Sequence, residues 1–138
     1  MDSAQALIII ALRAKAVVTA IDHLQPKMVA VVTSQESIDD VFVGCMPLRE
    51  RGVEFKWHPM DDSMQIGEAF RRFDRVRAQF QRSGYSNSEI LLDAMGGTTP
   101  LRVGASLAAM MRNVKIVHQR VRQDRYAGGV GIGIRPKT

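Results

Sequence analysis

The stretch ILLDAMGGTTP, residues 90–100, joins three patterns that together decide the fold. It starts with an apolar run typical of a strand that is buried on both faces. Gly96 and Gly97 then permit a sharp turn, because glycine adopts positive φ at little cost. Thr99 is a suitable helix cap, and Pro100 suits the first helical position, which needs no backbone N–H. The sequence therefore predicts a strand, a glycine turn and a helix in direct succession.

The same alternation of strand and helix extends in both directions from this stretch. Strands are predicted at residues 7–12, 28–32, 53–57, 90–94 and 114–117, with a weak one at 130–134. Apolar residues at helical spacing fill the intervals. Because parallel neighbours need crossover connections, this order predicts an α/β fold. We expect a Rossmann-like, mostly parallel sheet of about six strands with helices on both faces.

Two of the predicted helices carry specific expectations. The helix that follows the glycine turn has Val103, Leu107 and Met110 or Met111 as its apolar positions. Pro47 is expected to bend or end the second helix, since proline lacks the N–H that a helix interior uses.

Length and composition exclude several classes of protein. A chain of 138 residues is predicted to be a single domain, residues 1–138, with no separate effector domain. One cysteine excludes an internal disulfide framework and a cysteine-rich zinc site. The longest apolar run, residues 6–12, is too short to span a bilayer, and Asp2 argues against a signal peptide. The expectation is a soluble, cytoplasmic protein without membrane contact.

The charge is divided unevenly along the chain. Residues 1–70 hold 6 Lys/Arg and 10 Asp/Glu, whereas residues 71–138 hold 13 and 4, so the halves carry −4 and +9. A basic half suggests an anionic partner such as a nucleotide or nucleic acid. The run of Arg71, Arg72, Arg75 and Arg77 is accordingly either a solvated helix face or an anionic contact.

The fold class predicts where a ligand would bind. Open parallel sheets bind ligands beyond the carboxyl ends of their strands, where the strand order reverses. With the order 3-2-1-4-5, this point lies between the first and fourth strands, so the glycine turn faces it. The exposed amides at the start of the following helix favour an anion, and Arg102 adds a cation. The alternative is a glycine turn that only connects strand to helix.

Two familiar phosphate-binding motifs are excluded. No residues satisfy the P-loop pattern. The glycines of GVGIG, residues 129–133, contain G-x-G near the carboxyl terminus, where no helix is predicted to follow.

Residues 92–101, LDAMGGTTPL, resemble the signature hydrophobic-Asp-x-Thr-Gly-Gly-Thr-Lys-x-Met of CARF domains, the CRISPR-associated Rossmann-fold sensors of type III CRISPR immunity. Residues 31–36, VVTSQE, resemble the end of that family's second strand. Strand count, strand order and length also agree, so the resemblance covers nearly the whole chain.

The resemblance implies a sensor of cyclic oligoadenylate, with cyclic tetra-adenylate as the first choice, which binds across the two-fold axis of a homodimer. We expect no cofactor and no metal. The ligand-binding residues that the resemblance implies are Arg13, Ser34, Gln35, Glu36, Met95, Gly96, Gly97, Thr98, Thr99 and Arg102. Met95 stands where the family commonly has Thr, and Thr99 where it commonly has Lys. The loss of that Lys removes a ligand contact, which Arg102 would replace.

Three functions compete at this stage. The first is a homodimeric sensor in antiviral defence that controls an effector, fused to this segment or missing from it. The second is a stand-alone ring nuclease that cleaves the cyclic oligoadenylate it binds, with catalytic residues unknown. The third is direct nucleic-acid binding by the basic half, although the sequence lacks a recognisable reading helix and an interleaved aromatic platform.

The remaining reactive residue types have simpler structural interpretations. His58, Asp61 and Asp62 are possible metal ligands, but they fall at a strand-to-helix junction where Asp62 suits a cap. His118 fits a core or edge position of a strand. Cys45 has no basic neighbour in sequence and is predicted to be a small core residue.

Overall fold

The computed structural model describes residues 5–61 and 65–117, which alternate strand and helix throughout. A 3-10 turn, Asn87–Glu89, precedes the fourth strand. The elements are β1 (Ala6–Ile10), α1 (Ala14–Leu24), β2 (Met28–Ser34), α2 (Ile38–Glu50), β3 (Glu54–Met60), α3 (Ile66–Arg82), β4 (Ile90–Asp93), α4 (Thr99–Met111) and β5 (Lys115–Val117).

The described strands form one parallel sheet in the order β3-β2-β1-β4-β5. The predicted Rossmann-like α/β fold is confirmed, and the strand order reverses between β1 and β4 as expected. The described sheet has five strands rather than about six. The weak strand predicted at 130–134 lies outside the described residues.

The central strand β1 is buried on both faces. Ile8 and Ile10 belong to the core on the side of α3 and α4, whereas Leu7 and Ile9 belong to the core on the side of α1 and α2. Each such aliphatic side chain stabilises the fold by about 1.5–3 kcal/mol when it is removed from water. This two-sided burial explains why the strand reads as a continuous apolar run.

Close helix packing on each side of the sheet depends on a glycine. A side chain at Gly44 of α2 would collide with the Cβ of Ala14 in α1. A Cβ at Gly104 of α4 would collide with the carbonyl oxygen of Ile66 in α3 and lie 2.7 Å from the Cβ of Ala69. The helices therefore approach one another with backbone against backbone at these points.

The expectation for the apolar face of α4 is wrong. Its core-facing residues are Leu101, Gly104, Ala105, Ala108 and Ala109. The apolar positions expected from the sequence are exposed instead: Val103 by 38%, Leu107 by 44%, Met110 by 66% and Met111 by 72%. The small residues face inward because α4 lies close to α3, which leaves no room for larger side chains there.

The second helix does not end at its proline. Pro47 lies inside α2, which continues to Glu50. Cys45 and Leu48, on either side of Pro47, are both buried against the sheet, and their packing holds the last turn in place. The core position predicted for Cys45 is confirmed. Burial raises the pKa of its thiol to about 11, so the thiol is not a nucleophile at neutral pH.

The strand β3 lies at one edge of the described sheet, and its side chains are less buried than those of the central strands. Its Phe55 and Trp57 rings stack with centroids 5.3 Å apart, and Phe42 of α2 lies 5.2 Å from Trp57. The rings of Phe55 and Trp57 pack against the core on the side of α1 and α2. None of the described helices combines the length and the hydrophobicity needed to cross a bilayer.

Candidate functional site

Three loops reach the same edge of the sheet, because the strands that precede them are parallel. The loop after β1 carries Arg13, the loop after β2 carries Gln35 and Glu36, and the loop after β4 carries the glycine turn. We call this edge the carboxyl edge. It includes the point between β1 and β4 where open sheets bind their ligands.

The glycine turn is packed directly against the end of β1. A Cβ at Gly96 would lie 2.8 Å from the carbonyl oxygen of Ile10 and 3.2 Å from the Cα of Ala11. Gly97 has φ 85°, and a side chain there would collide with Ile10. Neither position accepts a larger residue without moving β1 or the turn. The turn therefore has a fixed place at the point where the strand order reverses.

A buried carboxylate fixes the start of this turn. Asp93, the last residue of β4, is only 5% exposed, and its Oδ1 accepts a hydrogen bond of 3.2 Å from the backbone N–H of Met95. The Met95 side chain is exposed. Where the CARF signature commonly has Thr, this chain thus presents an apolar side chain to solvent at the carboxyl edge.

The helix α4 begins one residue earlier than the sequence predicted. Thr98 is the N-cap, since its backbone is extended with φ −76° and ψ 160°, and Thr99 is already helical. Pro100 follows within the first turn. The Thr98 Oγ1 is buried and has no hydrogen-bond partner among the described residues, whereas Arg102 donates to Thr99 Oγ1 over 3.4 Å. The first turn of α4 thus places a hydroxyl and an exposed guanidinium beside the glycine turn.

The loop after β2 is held by hydrogen bonds from its backbone N–H groups to the Ser34 side chain and to β3. Ser34 is 4% exposed, and its Oγ accepts the N–H of Ser37 at 3.1 Å, so its hydroxyl turns the chain into α2. The N–H of Gln35 donates to the carbonyl oxygen of Met60 at 3.3 Å. The side chains of Gln35 and Glu36 are exposed. The loop thus offers one amide and one carboxylate to solvent.

The predicted site residues fall into two groups on the carboxyl edge. The first consists of Gly96 and Gly97, which contact the end of β1, with the α4 residues that follow them. The second is the loop after β2, which lies on the far side of β1 and whose backbone hydrogen bonds run to β3 and into the start of α2. Arg13 lies between the two groups, exposed and at the N-cap position of α1.

The histidine of β3 is separate from these groups. Burial lowers the pKa of His58, and the positive charges of Arg72 and Lys56 lower it further, so the imidazole is neutral at pH 7. Across residues 5–61 and 65–117, no three His, Cys, Asp or Glu side chains come together as metal ligands. Asp62 and His118 lie outside this part of the chain.

Sequence reasoning missed an apolar strip that begins at the carboxyl edge. Val103, Leu107 and Met110 follow one another at helical spacing on the outer face of α4 and, together with Arg102, line a shallow depression. The sequence carried a signal for this strip, because α4 has more apolar residues than one buried helix face can hold.

Comparison with solved structures identifies the same fold elsewhere. Can2 from Sulfobacillus thermosulfidooxidans, solved in complex with cyclic tetra-adenylate, superposes with a TM-score of 0.67 at 14% sequence identity. The protein VC1899 from Vibrio cholerae superposes with a TM-score of 0.66 at 9% identity. Each match covers 81% of this chain and 30% of the other. No protein-family model and no curated protein matches the sequence. The likeness confirms the CARF-like fold expected from residues 92–101.

Proposed function

We propose that this chain is a sensor that binds cyclic oligoadenylate, with cyclic tetra-adenylate preferred, at the carboxyl edge. The observation that carries the proposal is the glycine turn, which packs on the end of β1 and leads directly into the first turn of α4. Backbone that a ligand can approach closely, followed by free helix amides, favours phosphate oxygens. The likeness to Can2, a protein solved with cyclic tetra-adenylate, supports the same conclusion.

The side chains of the carboxyl edge have complementary roles in this proposal. Arg13 and Arg102 are exposed cations that would contact phosphates. The unpartnered hydroxyl of Thr98 would bind a phosphate or ribose oxygen. Gln35 and Glu36 offer the amide and the carboxylate that suit the amino and ring nitrogens of adenine. Arg102 thereby takes the place of the Lys that the CARF signature carries at Thr99.

We further propose that the sensor is a homodimer paired through the outer face of α4. Val103 and Leu107 are exposed apolar side chains on the helix whose first turn belongs to the site. A two-fold contact along α4 would place two glycine turns on one symmetric ring. The partner copy would thus complete the site. In this proposal the sensor serves type III CRISPR antiviral defence and controls an effector. The chain spans 30% of the length of each neighbour.

The direct test is calorimetric titration with cyclic tri-, tetra-, penta- and hexa-adenylate, with linear tetra-adenylate as the control. We expect cyclic tetra-adenylate to bind with a Kd of about 1 μM or tighter, near −8 kcal/mol, at one ring per two chains. Absence of binding to every ring at protein concentrations of about 100 μM would contradict the proposal.

A pair of glycine variants isolates the turn. Gly97 and Gly84 both have positive φ, 85° and 103°, so alanine is strained at either position. Only at Gly97 does the added Cβ collide, with Ile10, whereas nothing lies within 4 Å of a Cβ at Gly84. We expect Gly97→Ala to weaken ring binding by about 30-fold or more, roughly 2 kcal/mol, and Gly84→Ala to leave it unchanged. If the two variants bind the ring with equal affinity, the glycine turn is not part of the binding site.

Product analysis of the same samples separates sensing from ring cleavage. A ring nuclease would position a ribose 2′-hydroxyl in line with its phosphate and stabilise the developing charge with cations. Binding without linear products supports the sensor. Linear products that disappear in an Arg13→Ala or Arg102→Ala variant would instead assign cleavage to this edge.

A further inference from the structure

The outer face of α3 carries a narrow row of arginines. Arg71, Arg75 and Arg82 are all exposed and fall within an arc of about 40° on an ideal helix. We call these three residues the arginine ridge. The buried residues of α3, which lie on the opposite side of the helix, are Ala69, Phe73, Val76 and Phe80. The ridge therefore points directly away from the core.

The carboxylates of α3 are already engaged and do not neutralise the ridge. Asp74 accepts two hydrogen bonds of 3.0 Å from Arg112, the C-cap residue of α4, and a further one from Arg77. Glu68 accepts the backbone N–H of Gln65 at 2.9 Å as part of the helix cap. The structure gives the ridge arginines no hydrogen bond or ion pair with any described residue. Among residues 5–61 and 65–117, no side chain therefore neutralises the charge of the ridge.

The shape of the ridge suits an extended anion. At 1.5 Å of rise per residue, the guanidinium groups originate over a length of about 16 Å along the helix. Gly67 and Ala78 lie on the same face, and their small size lets a partner approach the helix closely. A row of fixed cations on a convex surface matches a polymer with regularly spaced phosphates better than a single small anion.

The ridge carries no aromatic side chain, which favours a double-stranded over a single-stranded nucleic acid. Binders of single strands add rings on which the unpaired bases stack. The aromatic side chains of α3 point elsewhere, because Phe73 and Phe80 are buried and Phe70 packs against the core. A duplex needs no such rings, since its bases are already stacked and its phosphates are the denser array.

We propose that the arginine ridge binds the phosphate backbone of double-stranded nucleic acid without sequence preference. The ridge lies along the body of α3, and the proposal does not depend on cyclic oligoadenylate binding. A basic segment is expected to bind an anionic partner, and the proposal assigns that role to the arginine ridge.

The test is a salt titration of duplex binding with charge-matched variants. The ridge variant is Arg71→Gln, Arg75→Gln, Arg82→Gln. The control variant, Lys27→Gln, Arg49→Gln, Arg51→Gln, removes the same charge from exposed positions elsewhere. Binding of a fluorescent 20-base-pair duplex and of a single strand of the same length is measured by anisotropy between about 25 and 200 mM salt.

We expect the ridge variant to bind the duplex at least about tenfold more weakly, with the slope of log K against log salt reduced by about 2 to 3. The control variant should keep most of the affinity and slope. Equal losses of duplex affinity in the two variants would show that only net charge matters and would overturn the proposal. Tighter binding of the single strand than of the duplex would overturn it as well. Titration of both variants with cyclic tetra-adenylate tests the proposed function separately. The ridge variant should bind that ring normally, whether or not the ridge binds a duplex.

Discussion

The helices α3 and α4 pack on the same side of the sheet but present opposite chemistry outward. The outer face of α3 carries the arginine ridge, whereas the outer face of α4 carries Val103, Leu107 and Met110. Both helices bury apolar residues against one core. The difference teaches that inward packing fixes the fold on this side, while the outward residues are free to specify partners. A charged face suits a hydrated anion, and an apolar face suits a second protein surface.

The largest expected effect lies on the outer face of α4. Leu107→Glu places a charge in the proposed contact and should raise the dimer dissociation constant by about 100-fold, near 3 kcal/mol. Sedimentation velocity across a range of concentrations measures it. Met46→Glu on α2 is the matched control, because both side chains are 44% exposed. If both variants associate as the unaltered chain does, the outer face of α4 is not the dimer contact.

The next effect concerns the line where the two helices meet. Gly104→Val forces a branched side chain against the Ile66 carbonyl and Ala69, and we expect it to lower the free energy of unfolding by about 2–3 kcal/mol. Chemical denaturation at constant m value measures this loss. Gly67→Ala on α3 is the control, since a Cβ there meets only Arg71 Nη1 at 3.6 Å, and it should be neutral or slightly stabilising. A fully stable Gly104→Val protein would show that the helices are not in such close contact.

A smaller effect concerns Asp74, in the middle of α3, which forms ion pairs with Arg77 of the same helix and with Arg112 at the carboxyl end of α4. Desolvation by partial burial acts to raise the pKa of Asp74, but hydrogen bonds from Arg112 and Arg77 and their positive charges outweigh it and lower the pKa. The stabilisation is therefore present above the unfolded-state pKa and is lost as the pH falls through the folded-state pKa. Because Arg112 is 42% exposed, we expect Asp74→Asn to cost only about 1 kcal/mol at pH 7.

Denaturation of the unaltered chain and of Asp74→Asn at pH 7 and at pH 3 checks this expectation. The difference between the two proteins should shrink at the lower pH, where the native carboxylate begins to be protonated. A difference that stays constant or grows toward acid would refute the assigned ion pairs.

The sequence predicted the sheet better than the outer faces of its helices. Continuous apolar runs such as residues 7–12 have only one stable placement in an α/β protein, between two layers of helix. On α4, by contrast, there are two apolar rows at helical spacing. One contains Leu101 and Ala105, and the other contains Val103 and Leu107. Periodicity cannot choose between them. The choice is made by the close approach to α3 at Gly104, which is a tertiary contact.

The candidate site was predictable in its location but not in its contacts. Its loops follow from where parallel strands end, and Gly96 and Gly97 are recognisable as a turn. Their packing against Ile10 depends on the pairing of β1 with β4, which places strands distant in sequence side by side. Likewise, the cap at Thr98 rather than Thr99 is set by where the turn leaves the sheet.

The buried thiol of Cys45 can report how often the structure around α2 opens. Its side chain is fully buried beneath α2, and its pKa is raised to about 11. A thiol reagent in solution can therefore react only when α2 lifts from the sheet or the chain unfolds. The rate of labelling counts these openings without any engineered probe. Because α2 directly follows the loop of Gln35 and Glu36, slower labelling upon addition of a ring would record ligand binding at that loop.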